Sequence, residues 1–390
     1  MLFVFYLNLR NSLAGYLMSH LVIIGNSYID FIHLRAPLLK ELRKENKDMT
    51  LMGPMCQDSE TLEKLKKNNT NYVSYKINPV NLNPISNFLS FLDILIKLRS
   101  LNPDKVFLFT LKPIVYGSIA SFFLKKTEVF SLNSGLGRVF TGSSIYNKFV
   151  LIFLRPLLKR AFKFNKKVFF QNNDDKDLFA KLNICHPSKS LVVNGTGIDL
   201  KKFHFSKEYK CDEPLNFLMI SRLIEEKGLI YYYQAAKKIK KLFPEVNFLL
   251  LGNFCKSKSG LSPKIIDSWQ EENVINYLGE TDDVRPFLKK ADIFVLPSFY
   301  REGIPRTCME ALATGLPIIT TDVPGCRETV IDGLNGFLIK PKSTNDLQNA
   351  MMKFINYPEI IKDMSAEGRN LVENRFDIVK VNHEIVEGLR

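Results

Sequence analysis

Thirteen short apolar segments recur along the chain, and segments with an amphipathic helical pattern separate most of them. We predict strands at residues 21–24, 50–52, 72–75, 105–109, 128–132, 167–170, 190–193, 216–220, 246–251, 274–278, 293–296, 318–320 and 336–339. Strands that alternate with helices are typical of β-α-β units, in which helices cover both faces of a parallel sheet. The pattern therefore predicts an α/β fold.

The length and the charge distribution both indicate two domains. A chain of 390 residues is long for one domain. Residues 1–200 contain 27 Lys and Arg against 14 Asp and Glu, whereas the remaining residues contain 27 against 26. A polar stretch at 201–213 coincides with this change. We predict two Rossmann-like, doubly wound domains that face a central cleft, at residues 1–200 and 214–376.

The amino-terminal segment has no convincing membrane span. The uncharged run at 11–29 contains polar residues, and its last third fits a first strand better. Residues 1–17 lack the basic start and the cleavage site of a secretory signal. We expect this segment to be a dispensable extension, with Met18 as an alternative start, and the protein to be cytoplasmic.

The most informative motif reads REGIPRTCMEALATGLP and follows the predicted strand at 293–296. Pro305 stands where the first helical residue is expected, so the amides of the helix start are directed at an anion. Glu302 and Glu310 would repel a phosphate. Sugar and ribose hydroxyls are better partners, because a carboxylate accepts several hydrogen bonds.

A second motif, SRLIEEKGL, follows the strand at 216–220 in the same strand-turn-helix context. Arg222 and Lys227 bracket the turn, where cations can bind a diphosphate. Each residue alone has an ordinary explanation, a salt bridge for Arg222 and a helix-end charge for Lys227. The two motifs together, about 80 residues apart, favour a nucleotide-sugar site.

Beyond these motifs, INYLGETDDVRPFLKKADIFVLPS and DGLNGFLI occur in the order typical of glycosyltransferase family 4, and the chain resembles this family. The first half is similar more loosely, through GLGRVF, VFFQNNDD and NGTGID. The resemblance implies a retaining enzyme of the GT-B fold that uses a nucleotide sugar. It is strongest for bacterial enzymes that act on undecaprenyl-diphosphate-linked glycans, and it implies that residues 377–390 form a helix returning to the first domain.

The resemblance also implies roles for individual residues. Arg222 and Lys227 would stabilise the departing diphosphate, while Glu302 would contact the donor sugar and Glu310 the ribose hydroxyls. Pro305 has no N–H and would shape its turn. The other candidate donor-binding residues are Gly25, Leu278, Gly279, Gly303, Ile304 and Arg306. Relatives often carry a histidine after the strand at 105–109, and here either Thr110 or Lys112 would replace it or the role is not needed.

No metal or cofactor is expected. The six cysteines and five histidines show no metal-ligand spacing. We interpret the acidic pairs at 174–175 and 282–283 as helix N-terminal residues. The UDP-sugar would be the donor substrate.

The basic excess indicates a partner with negative charge. The densest stretch runs from Lys148 to Lys167 and holds seven basic residues, no acid and many aromatic and aliphatic residues. An amphipathic helix of this kind is typical of an anionic membrane surface. A packed helix with a solvated basic face is the alternative. No nucleic acid is expected, because no binding motif accompanies the charge.

These observations predict a metal-independent, retaining hexosyltransferase, peripheral on the inner face of the cytoplasmic membrane. It would move a hexose or N-acetylhexosamine from a UDP-sugar to a lipid-linked oligosaccharide in bacterial surface polysaccharide biosynthesis. Two alternatives stay open. One is a GT-B UDP-sugar epimerase, and the other is a non-catalytic basic protein that binds membranes.

Overall fold

A computed structural model describes residues 19–46, 48–66, 70–77, 83–124, 126–136, 140, 145–205, 213–255, 257 and 259–390, without the side chains of residues 145–149 and 153. The amino-terminal extension lies outside the described residues, as does most of the expected linker. The side chain of Lys148, the first residue of the basic stretch, also lies outside them.

The first domain is built on a seven-stranded sheet in the order β3-β2-β1-β4-β5-β6-β7, in which all pairings are parallel. Its strands are β1 His20–Ile24, β2 Asp48–Gly53, β3 Thr70–Ser74, β4 Lys105–Phe109, β5 Glu128–Asn133, β6 Lys167–Phe170 and β7 Ser190–Val192. Its helices are α1 Tyr28–Ile32, α2 Ala36–Glu45, α3 Ser59–Lys66, α4 Pro84–Leu101, α5 Leu111–Ser121, α6 Ile145–Lys163 and α7 Asn173–Lys181.

The second domain is built on a six-stranded parallel sheet in the order β10-β9-β8-β11-β12-β13. Its strands are β8 Asn216–Ile220, β9 Asn247–Leu251, β10 Asn276–Tyr277, β11 Ile293–Leu296, β12 Ile318–Thr321 and β13 Gly336–Ile339. Its helices are α8 Leu229–Lys240, α9 Pro263–Glu271, α10 Arg285–Lys290, α11 Arg306–Thr314, α12 Thr344–Asn356 and α13 Ile360–Leu371.

The predicted α/β architecture is confirmed, and each predicted strand segment overlaps one of the thirteen strands found in the described residues. Central strands such as β1 and β11 are buried along their whole length, because helices cover both faces of each sheet. This is why they appear in the sequence as continuous apolar runs. The helices bury one stripe each, for example Ile266 and Trp269 of α9.

The chain ends on the first domain. A π-helical turn at Val372–Phe376 leads into α14, Ile378–Gly388. Val381 and Ile385 of α14 join the apolar cluster that contains Leu21 and Phe107. A Cβ atom at Gly197 would lie 2.5 Å from the Cα atom of Ile378. Glycine at this position therefore lets the chain pass close to the start of α14. The two domains are thus tied together by the last helix.

Candidate active site

The loop between β11 and α11 carries the first motif, at the carboxyl edge of the second sheet. Pro305 is the N-cap of α11, and no described side chain caps this helix. The first turn begins with Arg306 and contains no acidic residue. Helix-start amides without capping partners, together with the positive end of the helix dipole, favour an anion here.

Lys227 reaches this loop because β8 and β11 are neighbouring strands. A 3₁₀ turn, Glu225–Lys227, follows β8, and Gly228 comes next with a φ of +82°. A Cβ atom at Gly228 would lie 2.1 Å from the carbonyl oxygen of Pro297 at the end of β11. Glycine is therefore required for the two strand ends to approach, and this approach brings Lys227 to the loop.

Lys227 and Glu302 form an ion pair, with Nζ 2.6 Å from Oε1. Their side chains are 11% and 15% exposed, so water screens the pair only in part. The hydroxyl of Ser298 lies 3.0 Å from the same Oε1 atom. Two of the three residues predicted to be catalytic are thus in direct contact.

Glu310 lies one helical turn beyond Arg306 on α11, and Arg306 Nε donates to Glu310 Oε1 at 2.8 Å. Glu310 is 6% exposed. Burial raises the pKa of Glu310 above its ordinary value, and the positive charge of Arg306 opposes this rise. The guanidinium of Arg306 therefore balances the charge of the Glu310 carboxylate when that group is ionised.

Arg222 lies apart from the ion pair, in a cleft of about 600 Å³ within the second domain. The ends of β8 and β9, the loop after β10 and Thr307 of α11 line this cleft. Arg222 is exposed, and so its guanidinium is accessible to a ligand. Ligands of doubly wound sheets bind beyond the carboxyl ends of the strands, which is where this cleft lies.

The loop after β10 supplies Leu278 and Gly279. The Leu278 amide donates to the Leu250 carbonyl, and the Gly279 carbonyl accepts from the Gly252 amide at 2.8 Å. These two groups are therefore engaged within the sheet edge. Gly279 has a φ of +81°, which favours glycine. The predicted nucleobase contact would have to use the other backbone groups of this turn.

Gly25, predicted to approach the donor diphosphate, is explained by packing. Its amide donates to the Met52 carbonyl at 3.0 Å, and its carbonyl accepts from the Tyr75 hydroxyl at 2.8 Å. A Cβ atom at Gly25 would lie 2.9 Å from the Phe31 ring. The amide of Gly25 is thus engaged within the first domain, and the close approach of Gly25 to a donor diphosphate or to the acceptor stays a prediction.

Gly303 and Ile304 of the loop also contribute by packing. A Cβ atom at Gly303 would lie 1.8 Å from Oε1 of Gln171 in the first domain. The Ile304 side chain is 6% exposed and belongs to the core of the second domain. Gly303 thus lies at the contact between the domains, and Ile304 anchors the loop.

The backbone is unusual at Thr110, one of the two residues expected to replace a histidine of related enzymes. Thr110 follows β4 with a φ of +68°, a conformation that β-branched residues rarely adopt. Lys112 Nζ donates to Asn87 Oδ1 of α4 at 3.3 Å. The strained turn lies at the carboxyl edge of the first sheet, on the side of the cleft between the domains.

The basic helix α6 is amphipathic, but much of its apolar side faces the core. Leu158, Ala161 and Phe162 are buried, whereas Ile152 is 63% exposed. Four described basic residues of the helix are exposed, namely Arg155, Lys159, Arg160 and Lys163. The packed-helix alternative therefore explains Leu158, Ala161 and Phe162, and the described basic residues are directed to solvent.

The first domain also makes contacts with the loop between β11 and α11 that could not be predicted from the sequence. Asp174 and Asp175 do lie in the first turn of α7, as expected. Asp175 also binds Arg301, with 2.7 Å between Oδ1 and Nε, and Asp174 binds Arg327 at 3.1 Å. The run QNNDD at the carboxyl edge of β6 was the only available signal.

Among the described residues, no group of three or more His, Cys, Asp or Glu side chains could hold a metal ion. Five cysteines lie in the described part of the chain, and all are free thiols. None of the described helices is both long and apolar enough to cross a membrane.

The two facing parallel-sheet domains have the GT-B architecture, and the chain is a glycosyltransferase. Residues 201–371 match the family model Glycosyl transferases group 1, which identifies the second domain as a member of this family.

Two relatives illustrate the similarity. The N,N'-diacetylbacillosaminyl-diphospho-undecaprenol alpha-1,3-N-acetylgalactosaminyltransferase of Campylobacter jejuni is 29% identical over 326 residues, covering 81% of this chain and 84% of the relative. The UDP-Gal:alpha-D-GlcNAc-diphosphoundecaprenol alpha-1,3-galactosyltransferase of Escherichia coli is 30% identical over 231 residues, covering 56% and 59%.

Among solved structures, Anabaena Alr3699/HepE in complex with UDP is similar in fold. The TM-score is 0.76 at 19% identity, with 95% of this chain and 99% of that chain covered. At this level of identity the similarity concerns the fold alone.

Proposed function

We propose that this protein is a retaining, metal-independent glycosyltransferase that moves a hexose or N-acetylhexosamine from a UDP-sugar to a lipid-diphosphate-linked saccharide. The observation that carries the proposal is the Lys227–Glu302 pair beside the start of α11. This pair places a cation and a carboxylate beside the amides of the helix start, at the carboxyl ends of β8 and β11.

In this proposal, the bond between the sugar C1 atom and the UDP β-phosphate oxygen breaks, and a bond forms between C1 and an acceptor hydroxyl oxygen. The departing phosphate gains negative charge and takes the acceptor proton. Lys227, Arg222 and the amides of α11 stabilise that charge. Glu302 accepts hydrogen bonds from the sugar hydroxyls, and Glu310 accepts them from the ribose.

The names of both relatives support a lipid-linked acceptor. The Campylobacter jejuni and Escherichia coli enzymes are named for acting on sugars attached to diphospho-undecaprenol. The second name also specifies UDP-galactose as donor. We extend only the class of substrate to this protein, because the particular sugar depends on pocket shape.

The acceptor class requires contact with a membrane, and the surface of the first domain supports peripheral contact at the inner face of the cytoplasmic membrane. The exposed basic side of α6 would attract anionic lipids. On α4, Ile85, Phe88 and Leu89 are 72%, 59% and 53% exposed. Their spacing places them on one side of the first two turns, where they would enter the lipid interface.

The test is UDP release from a panel of UDP-sugars, with EDTA present, with and without a membrane extract of lipid-linked glycans. Release that needs the acceptor, occurs with one sugar and is lost in Glu302→Ala would support the proposal. Turnover of the donor without acceptor would favour the epimerase. If no donor binds or turns over, a non-catalytic membrane-binding protein would remain.

A further inference from the structure

The loop that carries Glu302 is held by the first domain as well as by its own. Arg301 of this loop donates from Nε to Asp175 Oδ1 at 2.7 Å, and from Nη2 to the Asp174 carbonyl at 3.3 Å. The Asp175 side chain is 1% exposed and that of Arg301 is 17% exposed. The residue next to Glu302 is therefore bound across the domain boundary by a nearly buried ion pair.

Asn172 makes a second connection to the same loop. Its Oδ1 atom caps α7 by accepting from the Asp175 amide at 2.8 Å. Its Nδ2 group donates to the Gly303 carbonyl at 3.3 Å and lies 3.4 Å from the Glu302 carbonyl. The same side chain thus orders the helix that carries Asp175 and holds the backbone on the far side of Glu302.

Close packing completes the contact. Gly135, with a φ of +111°, would place a Cβ atom 2.7 Å from the Gly303 amide nitrogen. Gly325 of the second domain would place one 1.8 Å from the Gly303 carbonyl oxygen. The Gly303 backbone is therefore enclosed between two glycines from opposite domains, which leaves the loop little freedom to move.

We propose that Asp175 and Asn172 are positioning residues that hold Glu302 in place for the donor sugar from across the domain boundary. This inference rests on the proposed function. Arg301 and Gly303 flank Glu302 on both sides, and both are bound to the first domain. The donor-sugar site is thus complete only when the domains are in contact, although Lys227 and Glu302 belong to one domain.

A neighbouring ion pair provides a matched control. Asp174 also crosses the boundary, with Oδ1 3.1 Å from Arg327 Nη1, but its side chain does not bind the Glu302 loop. Asp174→Asn and Asp175→Asn remove the same charge from adjacent residues. If the pairs serve only to join the domains, the two variants will behave alike.

The experiment compares full-length wild type with Asp175→Asn, Arg301→Gln and Asp174→Asn. We expect kcat to fall about 100-fold in the first two variants, as for a small misplacement of a catalytic group, and to change less than about threefold in Asp174→Asn. The affinity for UDP should stay within about twofold in all three, because only second-domain residues line the cleft. Arg301→Lys, which keeps the charge, should recover part of kcat.

Hydrogen exchange of the loop amides at residues 299–304 gives a readout that does not depend on the reaction. Exchange should accelerate in Asp175→Asn and Arg301→Gln but not in Asp174→Asn. Equal losses of kcat in Asp174→Asn and Asp175→Asn, or unchanged exchange in Asp175→Asn, would overturn the inference. Failure of the wild type to bind or turn over any donor would instead reject the proposed function, while the exchange result would still report on the loop.

Discussion

Nζ of Lys227 lies 2.6 Å from Oε1 of Glu302, although 75 residues separate them in the chain. Lys227 follows β8 and Glu302 follows β11, and these strands are neighbours in the sheet. The pair holds both side chains at the start of α11. A diphosphate bound there would compete with Glu302 for the lysine, and the carboxylate would then be available to a sugar hydroxyl.

Lys227→Met should lower kcat by about 100-fold or more, because a cation facing the departing phosphate acts mainly in the transition state. It should also lower the free energy of unfolding by about 1–3 kcal/mol, since Glu302 would remain partly buried without its cation. Steady-state kinetics and urea unfolding would test both. Lys237→Met is the matched control, because Lys237 and Glu272 pair at the same 2.6 Å with both side chains more than 40% exposed. Little loss of stability is expected there, because water screens an exposed ion pair.

Glu310→Gln should change the pH dependence of stability. Burial raises the folded-state pKa of Glu310 above 4.5, so the folded protein binds this proton more tightly than the unfolded chain. The stability contributed by protonation is therefore complete below pH 4.5 and is lost as the pH rises through the folded-state pKa. The stability of Glu310→Gln relative to wild type should accordingly increase from pH 4.5 toward neutral pH. Urea unfolding followed by the fluorescence of Trp269, the one tryptophan of the chain, would measure it. A relative stability that decreases with pH would contradict the prediction.

Gly303→Ala should lower kcat by at least about tenfold, because its methyl group would meet Gln171 Oε1 and displace the Glu302 loop. Gln171→Ala in the same chain should restore part of the rate by making room. Gly333→Ala serves as a control, since a Cβ atom there would meet no described atom within 4 Å and only the φ of +79° is strained. No rescue by Gln171→Ala would show that the contact between the domains does not set the loop position.

Neutralising the basic face of α6 should weaken binding to anionic vesicles. The four-residue variant changes Arg155, Lys159, Arg160 and Lys163 to Gln. Each cation near such a surface contributes about 1 kcal/mol, so binding to phosphatidylglycerol vesicles should fall by at least about tenfold. Vesicle sedimentation at low and high salt would measure this loss. A control variant with Gln at Lys238, Lys241, Lys264 and Lys290 carries the same charge change in the second domain and should bind as the wild type does. Equal losses in both variants would indicate a general charge effect.

The fold could be predicted from the sequence because buried parallel strands appear in it as short, continuous apolar segments. Residues 105–109, 167–170, 216–220, 293–296 and 336–339 form strands with the predicted bounds. Segment 274–278 contains only a two-residue strand, β10, which pairs with β9 through Asn276 and Tyr277. Both motifs lie at strand ends, as their patterns indicated.

The role of individual residues was harder to predict. The sequence suggested that Gly25 lets a ligand approach closely, and the structure shows that the packing of the Phe31 ring also favours glycine there. The apolar residues of α6 suggested a lipid-facing side, but Leu158 and Phe162 pack on the core. In both cases the residue type was compatible with two environments, and only the structure showed the surrounding packing.

The sequence by itself determined the α/β architecture, the class of enzyme and the strand ends that carry its chemistry. These depend on local periodicity, burial and turn residues, which neighbouring positions in the chain specify. The tertiary structure alone decided that Lys227 meets Glu302 and that Asp175 holds Arg301 from 126 positions away. Such contacts follow from strand order and from how the domains pack, because side chains from separate β-α units meet only where the sheets bring their ends together.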